Sequence, residues 1–316
     1  MQTLHHNAHA RAGLLGNPSD GYHGKTISLS IPVFAATVTL YEWETLEIIA
    51  SREDRSRFGS VAELTQDVEL HGYYGGIRLV KATIKKFVEF CDGKHTLHDR
   101  NFSIRYDSNI PRAVGLAGSS AIIVASLRAL MDFYDIDIPL EVQPSLVLSV
   151  EKDELGIQGG LQDRVIQVYD GLVYMDFSEQ ASTNQQGLCC GRYDRLSAEH
   201  LPSLFLAYDA TVGEPTEVLH NRLRERFAQG DSEVVTAMTR FAEIAAEGRE
   251  VIEDENWERL SELIDDNFDL RNSICQLPAG QVDMIMRSRA VGASAKFAGS
   301  GGAIIGIYQN AAMFDQ

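Results

Sequence analysis

Hydrophobic and polar positions recur along this chain with two periods, one typical of strands and one typical of helices. Strand character marks residues 26–31, 33–40, 46–50, 102–106 and 171–177. A helical period with apolar side chains on one face marks residues 76–90, and further helices are predicted at 122–131, 144–154 and 161–169. The glycines of segment 156–160 separate the last two helices. The first half of the chain therefore mixes strands with helices.

The second half of the chain begins with a short apolar strand at residues 204–208. Helical patterns follow at 216–229, 232–247, 257–270 and 282–290, and strand character returns at 295–308 around a Gly-rich turn. Because residues 179–200 are polar and rich in breakers, we predict one domain over residues 1–195 and a second over residues 196–316. Strands at both ends with helices between them predict an α+β fold.

The most informative local feature is a loop of small residues that runs into an apolar helix. It comprises Pro111, Gly115, Leu116, Ala117, Gly118, Ser119, Ser120 and Ala121. Such a helix start leaves backbone N–H groups without partners, and the helix dipole adds positive charge there, so the segment predicts a phosphate site. Ser119 and Ser120 can cap the helix, contact a phosphate or help to hold Mg²⁺. A loop that only caps a helix is the structural alternative. It is not a Walker A loop, because no Gly-Lys-Ser or Gly-Lys-Thr follows.

Charge and composition narrow the classes of function. The formal charge of the 316 residues is −17 at pH 7, which argues against a nucleic-acid-binding protein and against a partner of anionic membranes. A hydrophobic content of 44% suits globular cores, and a charged content of 23% argues against disorder. No apolar run approaches the ~20 residues that cross a bilayer. A small anionic substrate stays compatible with this charge, because nearby arginines dominate the field at short range.

The cysteines and histidines give no sign of a metal site. The four cysteines, at positions 91, 189, 190 and 275, lack metal-binding spacing. Cys189 and Cys190 are adjacent, and adjacent cysteines rarely pair. We expect all four cysteines to be reduced thiols in a cytoplasmic protein. His5, His6 and His9 are expected to belong to a disordered N-terminal end.

Three segments of the chain, in this order, are similar to the three signatures of the GHMP kinase superfamily (galactokinase, homoserine kinase, mevalonate kinase and phosphomevalonate kinase). Residues 10–20 (ARAGLLGNPSD) resemble the first signature, which presents sugar or alcohol ligands. Residues 111–121 (PRAVGLAGSSA) resemble the second, Pro-x-x-x-Gly-Leu-Gly-Ser-Ser-Ala, with one residue more before the first serine than some members have. Residues 296–303 (KFAGSGGA) resemble the third, a Gly-rich turn packed against the nucleotide loop.

The resemblance covers nearly the whole chain and implies the fold and the cofactors. We expect an N-terminal split β-α-β domain, a ferredoxin-like C-terminal domain and a ligand cleft between the two. ATP is the implied phosphoryl donor, and Mg²⁺ is its implied companion.

The resemblance also implies roles for individual residues. The segment that contains Asp163 (GGLQDR) resembles the galactokinase-type Gly-x-x-Asp-Gln element, so Asp163 would accept the proton of the substrate hydroxyl, paired with Arg11. Asp20 would bind sugar hydroxyls, because a carboxylate accepts two hydrogen bonds. Gly301 would help to close the loop around the phosphates. Without the resemblance, Arg11 would be an ordinary surface arginine and Asp20 part of a turn.

A helix glutamate would complete the Mg²⁺ shell together with Ser120. Glu151, Asp153 and Glu154 compete for this role. We favour Glu151 because twelve residues separate it from Asp163, as in sugar-kinase members of the superfamily. A surface carboxylate is the structural alternative for each of the three.

Residues 11–28, 160–169 and 171–177 are similar to the corresponding segments of plant glucuronokinases. This likeness implies ATP-dependent phosphorylation of D-glucuronate, a uronic acid, at its anomeric hydroxyl. The substrate carboxylate would need a basic partner, for which Lys25, Arg112 and Arg164 are the candidates. A heptose kinase, a sugar-binding regulator without turnover and a GHMP-type decarboxylase are the alternatives. The sequence does not predict an oligomeric state.

Overall fold

The structure, a computed structural model, describes residues 3–50, 75–209 and 223–316. The strands are β1 (Thr3–Leu15), β2 (Lys25–Glu42), β3 (Glu47–Ile49), β4 (Phe102–Ser108), β5 (Leu172–Asp176), β6 (Thr183–Gln185), β7 (Leu188–Cys190), β8 (Arg192–Leu196), β9 (Leu204–Tyr208), β10 (Lys296–Phe297) and β11 (Ala303–Ile307). The helices are α1 (Gly76–Cys91), α2 (Gly118–Tyr134), α3 (Gln143–Ser149), α4 (Gln162–Tyr169), α5 (Ser232–Glu253), α6 (Trp257–Ile274), α7 (Ala279–Ala290) and α8 (Ala311–Phe314). Residues 223–228 are also helical.

Strand β2 organises the six-stranded first sheet, because its 18 residues are long enough to pair with three strands. Strand β1 runs antiparallel along one edge of β2, from Thr3 opposite Tyr41 to Leu15 opposite Ile27. On the other edge, β5 pairs with the first part of β2 and β4 pairs with the last part. The chain therefore lies within the sheet from Thr3 onward.

Helix α2 packs against β1 and β2. This helix contains the apolar run identified in the sequence. It is buried along most of its length, including Ile123, Val124 and Leu130. Because α2 begins at Gly118, packing of the helix on the sheet brings its N-terminus beside the end of β1.

The second sheet is antiparallel and has the order β10-β11-β9. Helices α6 and α7 cover it through a core that includes Phe268, Ile285, Phe297 and Ile304. Helices α5 and α6 also contact β1, and α5 contacts β2. Helix α6 therefore contacts both sheets, and α5 packs against α6.

The N-terminal end is an ordered strand, so the expectation of disorder was wrong. Alanines at positions 8, 10 and 12 point into the core at every second residue, but such small side chains gave only a weak strand signal in the sequence. His6 lies 3.0 Å from Asp132, and His9 lies 3.1 Å from Asp170. These two contacts tie β1 to the neighbouring helices.

Residues 179–200, which the sequence analysis interpreted as a breaker-rich connection, contain the short strands β6, β7 and β8. Gln186 and Gly187 both have positive φ, 53° and 87°, which suits the tight turn that joins β6 to β7. Strand β8 pairs with β5 and extends the first sheet. The polar composition belongs to a hairpin and an edge strand, where alternate side chains face water.

The other predictions from the sequence agree with the structure in fold class and in the type of each described element. The α+β class is confirmed. The predicted helix at 144–154 is α3 followed by a π-helical turn at Val150–Glu154. The first half of the helix predicted at 216–229, residues 216–222, lies outside the described residues. The predicted domain boundary falls within β8 and stays a prediction. In the described part of the chain, no helix combines the length and the apolar character that a membrane span requires.

Candidate active site

Arg11, near the end of β1, lies where the three motif segments meet. Its Nε donates to Asp163 Oδ1 at 2.6 Å, and its Nη1 donates to the carbonyl oxygens of Gly115 at 2.6 Å and Ala298 at 3.1 Å. Only 5% of Arg11 is exposed, so its charge acts where water screens it weakly. The structure thus brings together the predicted pair of Arg11 and Asp163, and it links them to the other two motifs.

The loop before α2 has a left-handed backbone at two positions and runs directly into the helix. Gly115 and Ala117 both have left-handed φ, 74° and 61°, and α2 begins at the next residue, Gly118. Gln167 Nε2 donates to Ala117 O at 2.7 Å, and Ser120 Oγ donates to the same oxygen at 3.2 Å. No side chain of the neighbouring cap residue accepts from the first turn of α2. The N–H groups of that turn are therefore suited to bind an anion.

Gly115 and the turn at residues 299–302 pack backbone against backbone. A Cβ on Gly115 would lie 2.8 Å from Gly301 O and 3.0 Å from Ser300 N. A Cβ on Gly302 would lie 2.9 Å from Val114 Cα. Only glycines allow this approach, so the third motif forms one wall of a backbone-lined cradle whose other wall is the second motif.

Two polar side chains of α6, one turn apart, hold the first and third motifs. Asn267 Oδ1 accepts from Gly16 N at 2.6 Å, and its Nδ2 donates to Asn17 O at 3.2 Å. Arg271 donates from Nη1 and Nη2 to the carbonyl oxygens of residues 299–300, at 2.6 and 2.7 Å. Helix α6 therefore fixes the Gly-rich turn relative to the end of β1.

Lys296 adds a buried link between the same two motifs. Its Nζ donates to Gly13 O at 2.7 Å, Asn17 Oδ1 at 2.6 Å and Phe297 O at 2.9 Å. Burial lowers the pKa of Lys296 well below its ordinary value, and the nearby charges of Arg271 and Arg11 act in the same direction. The guanidinium groups of Arg11 and Arg271 thus lie close to Lys296 behind the cradle, and their charges favour a negatively charged ligand in front of it.

Asp20 follows the first motif and lies beside the base candidate. Its Oδ2 accepts from Gln162 N at 3.2 Å, and a Cβ on Gly160 would overlap its carboxylate. Removal from water raises the pKa of Asp20 to about 6, with a further contribution from the charge of Asp163. Asp20 therefore titrates closer to neutral pH than an ordinary aspartate.

Glu151 lies in the π-helical turn and is engaged by Arg164. Both side chains are buried, and Arg164 donates from Nε at 2.6 Å and from Nη2 to the same oxygen, Oε2 of Glu151. Burial opposes the charge of Arg164, but the carboxylates of Glu151 and Asp163 outweigh it and raise the pKa of this arginine. The predicted metal ligand thus has a fixed cationic neighbour that the sequence did not reveal.

The remaining predicted site residues differ in their exposure to solvent and in their partners. Lys25 Nζ lies 3.6 Å from Asp176 Oδ2 on the neighbouring strand β5. Arg112 and Ser119 are exposed, whereas Ser120 is buried at the start of α2. Ser120 is thus less accessible than Ser119, and Lys25 has an acidic partner.

Asn267, Arg271 and Gln167 are site-supporting residues that the sequence analysis missed. The sequence held a signal for the first two. The buried face of α6 is apolar at Leu260 and Ile264, and the polar residues Asn267 and Arg271 continue the same face. Polar residues on an otherwise apolar stripe are costly to bury and usually have partners. Gln167 gave no comparable signal.

Comparisons with known proteins bear on the family of this chain. The family model "GHMP kinases N terminal domain" matches residues 78–171. The chain is 43% identical over 310 residues to Glucuronokinase 1 of Arabidopsis thaliana, and the match covers 96% of this chain and 84% of that protein. This chain belongs to the GHMP kinase family. It is therefore a phosphotransferase of the sugar-kinase type, for which the family implies ATP as co-substrate.

Solved structures of other GHMP kinases share the fold of this kinase. Mevalonate kinase of Methanococcus jannaschii has a TM-score of 0.72 at 18% identity, with 99% of this chain and 93% of that chain covered. Galactokinase of Lactococcus lactis, complexed with galactose, has a TM-score of 0.71 at 14% identity, with 96% and 85% covered. At these identities the likeness concerns the fold alone, and it confirms the two-part GHMP kinase fold.

Proposed function

We propose that this kinase transfers the γ-phosphoryl group of ATP to the anomeric hydroxyl of D-glucuronate and forms D-glucuronate 1-phosphate. The observation that carries the proposal is the 2.6 Å contact of Arg11 with Asp163, made where the cradle and the Asp20 turn meet. Similarity over nearly the full chain to a protein named Glucuronokinase 1 supports the choice of sugar.

Asp163 is the general base of the proposed reaction. It accepts the proton of the anomeric hydroxyl while that oxygen attacks the γ-phosphorus. The bond between the γ-phosphorus and the bridging oxygen breaks, and ADP leaves with that electron pair. Arg11 holds the carboxylate in place through the hydrogen bond from its Nε and places a positive charge beside it.

The backbone cradle binds the phosphates of ATP. The residues assigned to it are Pro111, Gly115, Leu116, Ala117, Gly118, Ser119, Ser120, Ala121 and Gly301. The close approach of Gly115 to residues 300–301 keeps side chains out of the cradle, and the start of α2 offers amide donors. Both features suit a polyphosphate, which needs many hydrogen-bond donors and a cradle free of bulky side chains.

Mg²⁺ would be held by Ser120 and Glu151 together with the phosphates. Across residues 3–50, 75–209 and 223–316, no group of three or more His, Cys, Asp or Glu side chains could hold a metal ion alone. One hydroxyl and one carboxylate still fit Mg²⁺, which usually takes one or two carboxylates, phosphate oxygens and waters. When bound, Mg²⁺ supplies charge neutralisation for the phosphates.

The sugar lies on the Asp20 side of the cradle. Asp20 accepts hydrogen bonds from sugar hydroxyls, and Lys25 and Arg164 are the basic residues assigned to the substrate from the sequence. A cytoplasmic location stays a prediction of the sequence.

A panel of free sugars and uronic acids with Mg·ATP tests the proposal. We expect ADP release with D-glucuronate and much slower release with heptoses and hexoses. ADP release with a heptose but not with D-glucuronate would show that the substrate is a heptose. Sugar binding without ADP release would indicate a regulator, and carbon dioxide release from a phosphorylated mevalonate-type acid would indicate a decarboxylase.

A further inference from the structure

Arg224 bridges the two halves of the chain at the edge of the sugar side. It lies in the short helical segment 223–228, and its Nη1 donates to Gln158 Oε1 at 2.8 Å. Gln158 belongs to the glycine-rich segment 156–160 that precedes α4. The bond therefore connects the second half of the chain to the segment that carries Asp163 into the site.

Two contacts and one electrostatic effect place Arg224 beside the Asp20 turn. Gly160, two residues after Gln158, lies directly against the Asp20 carboxylate. The ring of Tyr22, in the same turn as Asp20, packs on the ring of Phe227 with centroids 4.8 Å apart. Burial raises the pKa of Tyr22 to about 12, an effect that the charge of Arg224 opposes and the charge of Asp20 reinforces. The Tyr22 hydroxyl therefore lies within the field of both groups.

The charge of Arg224 is balanced less well than the charges of its basic neighbours. Lys25 has Asp176, and Arg164 has Glu151. Among the residues that the structure describes, no carboxylate lies within ion-pair distance of Arg224, whose hydrogen-bond partner is a neutral amide. Arg224 is also only partly exposed, so its charge is incompletely hydrated.

We propose that Arg224 binds the C6 carboxylate of the substrate and so selects a uronic acid over a neutral sugar. This assignment rests on the proposed function. The Gln158 amide fixes Nη1, and the Nε and Nη2 groups form the planar fork that pairs with the two oxygens of a carboxylate. The carboxylate would complete the charge balance at this edge of the pocket, which a neutral sugar could not do.

Arg224→Gln tests the assignment with two sugars that differ in charge but hardly in shape, D-glucuronate and D-glucuronamide. We expect kcat/KM for D-glucuronate to fall about 10- to 100-fold, as expected for a lost hydrogen bond between charged groups. The value for the amide, or its inhibition constant where turnover is slow, should change less than about threefold. Arg224→Lys should retain part of the selectivity. Arg240→Gln, which removes an exposed arginine paired with Glu243 on α5, is the matched control and should change neither value.

The outcomes separate this assignment from the proposed function. Equal losses with both sugars, or an unchanged ratio of acid to amide, would overturn the role of Arg224 while the wild-type protein still phosphorylated D-glucuronate. A thermal unfolding midpoint near that of the wild type shows that the variant is folded. A wild-type protein that phosphorylates no uronic acid would refute the proposed function and the assignment together.

Discussion

Arg11 and Asp163 lie 152 positions apart in the chain, yet the Arg11 Nε donates to Asp163 Oδ1 at 2.6 Å. The same guanidinium also binds the carbonyl oxygens of Gly115 and Ala298. One buried side chain thus fixes the base relative to both walls of the cradle. Because a proton acceptor must lie within hydrogen-bond reach of the attacking hydroxyl, this fixed geometry is the basis of the proposed catalysis.

Asp163→Asn removes the proton acceptor and preserves the shape of the side chain. We expect kcat to fall about 10²- to 10⁴-fold, with the KM for ATP nearly unchanged because the cradle is intact. Asp170→Asn, which alters a surface partner of His9, is the control and should keep wild-type turnover. Steady-state kinetics with both substrates measure these effects. A fully active Asp163→Asn enzyme would show that Asp163 is not the base.

Gly115→Ala places a methyl group against the Gly-rich turn. Gly171 offers a close control, because it has a similar φ of 83° but open space where a Cβ would lie. Either alanine costs about 1 kcal/mol of left-handed strain. Only the change at Gly115 should also raise the KM for ATP, by about tenfold or more, since the cradle must widen. Equal ATP affinity in the two variants would show that the close approach does not matter for the nucleotide.

Asp20→Asn should stabilise the protein at alkaline pH while impairing sugar binding. The folded-state pKa of Asp20 is raised to about 6, so its ionised form destabilises the fold above that pH. The neutral asparagine avoids this cost, which is of the order of 2 kcal/mol. The gain in the free energy of unfolding should be largest above pH 6 and shrink as the pH falls toward about 4, where the folded Asp20 is already protonated. Urea unfolding at several pH values measures it, and a variant less stable than the wild type at pH 8 would contradict the account.

Arg271→Leu should affect ATP more than the sugar. The substitution removes both hydrogen bonds to the Gly-rich turn, so we expect the KM for ATP to rise about tenfold, with a smaller change in the KM for the sugar. Arg289→Leu is the matched control, because both arginines lie over phenylalanine rings but Arg289 pairs with aspartates away from the turn. Similar effects of the two variants would indicate a general loss of stability.

The cradle and the pair of Arg11 and Asp163 could be predicted from the sequence. Their residues belong to short motifs whose residue types are typical of a phosphate loop and of its neighbouring base. The sequence could not reveal that Arg164 engages Glu151, or that Asn267 and Arg271 hold two motifs from one helix. These contacts join distant segments, and only the packed chain brings them together. The N-terminal strand was missed for a local reason, since alternating alanines carry little hydrophobic contrast.

Nuclear magnetic resonance of the product formed from Mg·ATP and D-glucuronate tests directly whether Asp163 assists phosphoryl transfer to the anomeric hydroxyl. We expect a new phosphate monoester whose phosphorus couples to the anomeric proton, formed by the wild-type enzyme and nearly abolished in Asp163→Asn. A phosphate on any other hydroxyl, or the same yield of product from the Asp163→Asn enzyme, would contradict this expectation.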